Sequence, residues 1–398
     1  MRSKAYSLYK LLIRRFLVIA CQIFKLFPVK KNRIVFICHK YGSQYADSPM
    51  YISEYLMQHY ADRYEIIWVF KEPDRFEYLK AKGIKLVKFC SLAGFYYSNT
   101  AKVYITNLFG PYPDVIRRKN RIIIETSHGV AYKNLLTGAS NVSKVDSYDI
   151  EQRRIKINMC DYALSGCDIL TRCTYRDNLG YEGRIIEEGL PRNDLFFRDN
   201  GEIKRKVRQR YGIAPEAGIL LLMPTWKKEN SRRTIEIDYG RVLDLLGKKD
   251  GREWVCLLRL HHLSRVDISD ILSQYAGRVI EATDYPDPQE LLLAGDALMT
   301  DYSSVVWDFA LQKKPIFIYT PDVLDYSEER GFNVPPAEWG LFRAEGEEEL
   351  YRMIEEHTLD EIARASQAHL EKFGNCETGK ATERLCRRID RYCGGGEF

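Results

Sequence analysis

Histidine is scarce in this 398-residue sequence, at seven positions, and tryptophan scarcer still, at five. The ten cysteines, at 21, 38, 90, 160, 167, 173, 256, 376, 386 and 393, form no CxxC pair and no zinc-like spacing. Cys38 and Cys256 lie inside apolar strand-like runs, which reads as reduced core thiols in a cytosolic protein, not as a disulfide framework. A surplus of one charge is missing too. Against 60 Lys and Arg stand 55 Asp and Glu, a net charge of +5, which argues against the strongly basic domain of a duplex nucleic-acid binder. A composition 45% hydrophobic and 29% charged excludes a disordered or collagenous chain. The length predicts two to three domains.

The balance hides a local excess. Residues 1–33 hold nine Lys and Arg and no acidic residue. Their longest uncharged stretch, Phe16 to Phe24, falls far short of the roughly 20 residues of a spanning helix. A signal peptide would need a small-residue cleavage site, which does not follow. The pattern predicts a basic amphipathic helix over 1–32, lying on an anionic membrane surface. A helix packed on the domain with its charges solvated is the alternative.

From residue 33 onward short apolar runs alternate with helix-length stretches. Arg33–Cys38, Glu65–Phe70, Ile84–Phe89, Lys102–Thr106, Arg121–Glu125, Tyr162–Ser165 and Arg184–Glu187 read as strands of one α/β unit. A second series runs through Gly218–Met223, Trp254–Leu258, Val279-Ile280, Ala297–Met299 and Pro315–Tyr319. Asp47-Ser48-Pro49 opens a helix through about Tyr60, and Glu202 to Arg210 forms another. Glu371 to Tyr392 reads as a basic helix crossing back to the first unit, and Cys393–Phe398 as a tail outside the fold. The expected domains are 33–205 and 206–375, facing each other across a cleft, with 376–398 as terminal helix and tail. Ligands in such folds sit at the carboxyl ends of the strands.

Chemistry-bearing residues gather at those ends. Ser127-His128-Gly129 follows one strand, and Arg259-Leu260-His261-His262 another. Gly189-Leu190-Pro191-Arg192-Asn193-Asp194 ends the first series, and Thr300-Asp301-Tyr302-Ser303-Ser304 ends a strand and opens a helix at Val306. Three of the seven histidines lie in these turns. Each motif has a plainer reading: a hydrogen-bonded structural histidine, a helix cap, a turn. Their joint position at strand ends is what points to a site.

In this order, with Met223-Pro224-Thr225-Trp226-Lys227, Asp308, Lys314-Pro315, Asp322 and Glu329-Arg330-Gly331-Phe332, the motifs resemble the CDP-glycerol glycerophosphotransferases of teichoic-acid synthesis, over about residues 33 to 375. The family pattern differs at Ser127 (usually Trp), Val130-Ala131 (Thr-Pro), His262 (Pro) and Asp47-Ser48-Pro49 (Asn-Pro). The resemblance implies a GT-B architecture of two Rossmann-like domains, preceded here by the amphipathic helix. It also implies a peripheral enzyme on the cytoplasmic face of the cell membrane. Its substrates would be CDP-glycerol or CDP-ribitol and an undecaprenyl-diphosphate-linked disaccharide or polymer, with no cofactor and no bound metal. His128 would be the base and His261 would hydrogen-bond or protonate the diphosphate. Arg192, Thr225, Arg259, Asp301, Ser303 and Ser304 would hold the donor, with Gly129, Lys133, Asn193 and Asp194 on the acceptor side. The short chain favours addition of one unit, as a primase would, over polymerisation. An inactive nucleotide-binding scaffold at the membrane is the non-enzyme alternative. A sugar transferase or epimerase would share the architecture without these motifs. A homo-oligomer is compatible with the sequence.

Overall fold

A computed structural model describes residues 17–112, 115–134, 147–225, 234–261, 264 and 266–398. Its frame is two wholly parallel sheets. The first takes β1 (Lys30–Ile37), β2 (Glu65–Phe70), β3 (Lys85–Lys88), β4 (Ala101–Thr106), β5 (Ile122–Glu125), β6 (Tyr162–Leu164) and β7 (Arg184–Ile186) in the order β3-β2-β1-β4-β5-β6-β7. The second takes β8 (Gly218–Leu222), β9 (Trp254–Leu258), β10 (Val279–Glu281), β11 (Ala297–Thr300), β12 (Ile316–Tyr319) and β13 (Phe342–Ala344) in the order β10-β9-β8-β11-β12-β13. Both repeat one doubly wound plan, with the winding reversed between the first and fourth strands. The central strands are apolar on both faces, as helices on both sides require: all five residues of β8 and all four of β11 are buried.

The expected strands are present, and β13 is one the sequence pattern did not announce. Its three residues, Phe-Arg-Ala, carry no run of apolar positions and sit at a sheet edge. The last helix needs a correction as well. One helix, Leu359–Lys372, stops at Phe373, and Gly374 turns the chain with φ +66° before a new helix, Ala381–Cys393, begins.

That last helix does cross back. It packs on the helix Asp47–His59, and Asp390 accepts from Arg63 at 2.5 Å and from Tyr64. The terminal residues are part of the fold, not a free tail: Cys393 is buried, and the Phe398 ring lies 4.3 Å from that of Tyr162. The preceding helix packs on the second sheet, its Ser366 donating to the Lys314 carbonyl at 2.8 Å. The chain therefore passes between the sheets twice, before β8 and again between Phe373 and Lys380.

Of the expected N-terminal helix, residues 1–16 lie outside the described residues. Residues 17–20 are helical and lead into a tight turn of helix, Cys21–Leu26. Arg118 fixes this segment by donating to the carbonyls of Phe24 and Phe27 at 3.2 and 2.7 Å. Among the described residues no helix is long and apolar enough to cross a membrane.

Candidate functional site

Doubly wound sheets bind ligands beyond the carboxyl ends of their strands, where the winding reverses. At the first reversal His39 follows β1 and Asn107 follows β4, with Ser127-His128-Gly129 beyond neighbouring β5. At the second, Thr225 follows β8 and Asp301–Ser304 follow β11, with Arg259 and His261 beyond β9. Backbone strain concentrates on the first side. His39, Tyr41, Asp47, Phe109 and Ser127, none of them glycine, hold φ between +51° and +62°. Such conformations persist only where surrounding contacts fix them, and they favour functional sites.

His128 is set as a proton acceptor. Its Nδ1 lies 2.8 Å from the Asn107 carbonyl oxygen, which can only accept. The ring proton is therefore on Nδ1 and the lone pair on Nε2. Nε2 has no hydrogen-bond partner among the described residues, and the side chain is exposed. Burial of the ring's surroundings lowers its pKa from the ordinary imidazole value, outweighing the Asn107 carbonyl and Asp47, which support the charged form. The loop beneath it hangs on Glu125, whose carboxylate accepts from the amides of Gly110 and Ser127 at 2.8 and 2.9 Å. Burial pushes Glu125 up to about 7, against those hydrogen bonds.

Gly129 is where the two sides meet. Its φ is +140°, and a Cβ built on it would stand 2.6 Å from Ser304 Oγ and 2.9 Å from Ser304 Cβ. Only glycine allows the His128 loop to lie against the start of the helix Val305–Ala310. Gly129→Ala should force the sheets apart and lower transfer activity by at least about tenfold, because sub-ångström misplacement of reacting groups is costly. A steady-state rate near wild type would show that this contact is dispensable.

Ser304 occupies the cap position of that six-residue helix, yet makes no side-chain cap hydrogen bond. The two serines are half-buried. Asp301 Oδ1 accepts from the amides of Thr225 and Tyr302 at 2.8 and 2.6 Å and so joins the ends of β8 and β11. The Thr225 hydroxyl is buried without a hydrogen-bond partner among the described residues. A buried unsatisfied hydroxyl is costly unless a ligand completes it, which suits a donor-binding role. His261 is exposed beyond β9. Neighbouring His262, with Trp226 and Lys227, lies outside the described residues.

Of the expected ligand residues, Arg192 is already paired, Arg259 is held through one nitrogen, and Lys133 is fixed through its backbone. Arg192 is buried between two carboxylates, with Nη2 2.7 Å from Asp308 Oδ2 and Nη1 3.5 Å from Asp47 Oδ1. Burial opposes its charge, but Asp308 and Asp47 outweigh that and hold it protonated. Its charge is thus already balanced, and it is not a free phosphate-binding cation. Arg259 Nη1 donates to the carbonyls of Ala282 and Tyr285 at 3.1 and 2.7 Å, which fixes the loop after β10. Lys133 does not stand apart on the acceptor side. Its backbone bridges to Phe332 beside the second sheet; burial lowers its pKa, with Asp301 opposing that effect.

Asn193 and Asp194 are corrections. Both are sealed from solvent, at 0% and 1% exposure, and cannot meet an acceptor. Asn193 Nδ2 donates to Glu377 at 2.8 Å, and Asp194 accepts from the amides of Ala381 and Thr382 at 3.0 and 2.7 Å. The Pro-Arg-Asn-Asp turn is a receptor for the returning C-terminal chain. Its partners lie almost 190 positions away, so no local pattern could separate latch from binding loop.

Sequence reasoning missed His39, Asp47 and Asn107 as site members. The His39 ring centroid is 6.4 Å from that of His128. Asn107 Oδ1 accepts from the His39 amide at 2.8 Å, and Nδ2 donates to Asp47 Oδ2 at 2.9 Å. The available signal was position alone: each lies just past a strand end or opens the first helix.

Family and structural likenesses agree with this geometry. Residues 19–391 match the family described as CDP-glycerol:poly(glycerophosphate) glycerophosphotransferase. A teichoic acid poly(glycerol phosphate) polymerase of Bacillus spizizenii is 30% identical over 83% of this chain and 85% of its own. A teichoic acid glycerol-phosphate transferase of Staphylococcus aureus is 28% identical over 92% of this chain and 95% of its own. The solved wall teichoic acid polymerase TagF superposes with a TM-score of 0.78 at 26% identity, covering 99% of this chain and 97% of that one. With the match running from the segment before β1 to the last helix, the chain belongs to the CDP-glycerol:poly(glycerophosphate) glycerophosphotransferase family and is an enzyme of teichoic-acid synthesis.

Proposed function

We propose that the protein moves glycerol phosphate from CDP-glycerol to a hydroxyl of an undecaprenyl-diphosphate-linked acceptor, within a GT-B-type cleft. The observation that carries this is the His128 geometry, an accepting Nε2 on a loop pressed against Ser304. His128 Nε2 takes the acceptor hydroxyl's proton as that oxygen attacks the glycerol-bearing phosphorus, and the P–O bond to CMP breaks. Thr225, Asp301, Ser303 and Ser304 hold the donor, and His261 protonates or hydrogen-bonds the diphosphate. Glycerol is preferred to ribitol as the polyol because the relatives of higher identity are glycerol-phosphate enzymes. A crystal of TagF, in a histidine variant, was soaked with CDPG.

Addition of one unit is the reading favoured here, since the S. aureus relative matched nearly end to end is named a transferase. Repeated addition is the second reading, carried by the 30% identity to a polymerase. CMP release with CDP-glycerol or CDP-ribitol and a synthetic lipid-linked disaccharide tests the reaction, and product mass counts the units. Absence of CMP with both donors would end the proposal.

The acceptor is a lipid, so the enzyme works on the cytoplasmic face as a peripheral protein. In support, Ile19, Ile23 and Leu26 are 71%, 58% and 82% exposed. Beside them Lys25, Lys31, Lys102, Arg117, Arg118 and Lys119 line a cavity of about 610 Å3. Apolar side chains rimmed by cations suit an anionic bilayer surface. Ile19→Glu with Ile23→Glu should reduce sedimentation with anionic vesicles; unchanged binding would remove this surface from the reading.

A further inference from the structure

We infer that Asp47 and Asn107 are positioning residues for His128, and that Arg192 and Asp308 tie this setting of the base to the second sheet. The inference rests on the reading of His128 as the base.

The chain of contacts is continuous. Asn107 is held from two sides, through its Oδ1 by the His39 amide at 2.8 Å and through its Nδ2 by Asp47 at 2.9 Å. Its backbone carbonyl, so fixed, receives the Nδ1 proton of His128 at 2.8 Å. Asp47 is itself constrained: it is buried, holds φ +60°, and its Oδ1 accepts from the Ser48 amide at 2.6 Å. The same oxygen faces Arg192 at 3.5 Å, and the other arm of that guanidinium reaches Asp308 at 2.7 Å. Asp308 lies on the helix that starts beside Ser304, against Gly129. One cation therefore spans a carboxylate of each sheet's side, next to the loop that carries the base.

Behind this bridge the contacts continue inward. Gln289 Nε2 lies 3.4 Å from Asp308 Oδ2 and donates to Asn193 Oδ1 at 3.0 Å, while Asn193 donates to Glu377. Each member is buried, and although Arg192 Nε and Asp308 Oδ1 have no hydrogen-bond partner among the described residues, the remaining contacts are shared, so displacement of one member leaves another unsatisfied. A merely local loop anchor would need neither the bridge nor the second sheet. The strained φ of Asp47 is likewise held in place from both ends.

The charged groups facing His128 are Asp47, Arg192 and Lys133, with the His39 ring alongside. Asp47 favours the protonated ring, whereas Arg192 and Lys133 oppose it. Removal of the Asp47 charge should therefore move the acid limb of the kcat/KM profile to lower pH.

The test is CMP release by the full chain from pH 4.5 to 9, for wild type, Asp47→Asn, Asp47→Glu, Asn107→Ala and Asp308→Asn. Asp47→Asn and Asn107→Ala should lower kcat by about tenfold or more, with donor KM changed less than about threefold. Asp47→Asn should also displace the acid limb downward, and Asp47→Glu should return it toward wild type. An unmoved limb in Asp47→Asn with kcat near wild type would overturn the inference. So would rate losses that only track the folded fraction. Asp308→Asn, at the far end, should lower kcat without touching the loop of the base; a wild-type rate there would sever the second sheet from the relay. Nitrogen NMR of the His128 ring decides the matter independently of activity. Wild type should show the Nδ1-protonated tautomer and Asn107→Ala a mixture. An identical tautomer in both would refute the positioning role even if no donor yields CMP, whereas failure of CMP release alone would count only against the reaction.

Discussion

Replacing His128 by alanine should lower the rate of CMP release by about 100-fold or more, the usual cost of losing a general base. The reasoning starts from the nucleophile. An alcohol is a weak attacker at neutral pH, so a group that takes its proton during attack carries much of the acceleration. His128 is fitted to this by three features: an Nδ1 proton pinned by the Asn107 carbonyl, an Nε2 without a hydrogen-bond partner among the described residues, and a pKa drawn down by the dense surroundings of a ring that still reaches solvent. The sign of the last point fixes the pH profile. A base works in its deprotonated form, so activity should rise as pH passes upward through its pKa. Because that pKa lies below the ordinary imidazole value of 6.5, the limb should fall on the acid side of it and the enzyme should be fully poised at neutral pH. His128→Asn should share the loss, as an amide keeps hydrogen-bonding capacity without basicity. Retention of more than about a tenth of the wild-type rate in either variant would assign the base elsewhere.

The largest effect on stability is expected at Arg192. Arg192→Met should destabilise the fold by about 3–5 kcal/mol, as removal of one member of a buried ion group does. Arg192 stands between Asp47 and Asp308, which are 6% and 2% exposed. With the cation gone, two carboxylates would share a dry site with their attraction removed. Burial pushes both carboxyls toward the neutral form, and for Asp47 the attraction of Arg192, with other contacts, outweighs it and holds the pKa low. Denaturant unfolding of the variant should therefore show a lower midpoint at pH 8 than wild type, with part of the deficit recovered at pH 5, where protonation relieves the repulsion. Adding Asp47→Asn and Asp308→Asn to Arg192→Met should restore stability relative to the single variant. A loss below about 1 kcal/mol would mean that water or rearrangement satisfies the carboxylates, and that the bridge is weaker than its geometry indicates.

Both results bear on what the amino-acid pattern can disclose. The apolar runs such as Gly218–Met223 and Trp254–Leu258 declared their strands because a strand covered on both faces must be apolar throughout. His128 and Gly129 could be singled out because they fall at a strand end together with the other motifs, whereas a lone histidine there is as readily structural. Arg192, Asn193 and Asp194 were legible as a motif, while their tasks were not. Those tasks depend on residues 116 to 188 positions away, brought close only by the second sheet and the returning chain. Asn107 was invisible for another reason: it orients His128 through a backbone carbonyl, a group that every residue carries. The break at Gly374 within an otherwise helical stretch lay in view, and its left-handed turn is the physical cause of the two-helix ending.

The double passage of the chain between the sheets has a mechanical consequence. The two passages do not stand apart: Gly379 lies against the Phe197 side chain, and Glu377 accepts from the Leu190 amide at 2.9 Å and from Asn193 at 2.8 Å. Two connecting segments fastened to each other resist twisting of one sheet against the other more than a single connection would, so the pairs Ser304–Gly129 and Asp308–Arg192 are braced from behind.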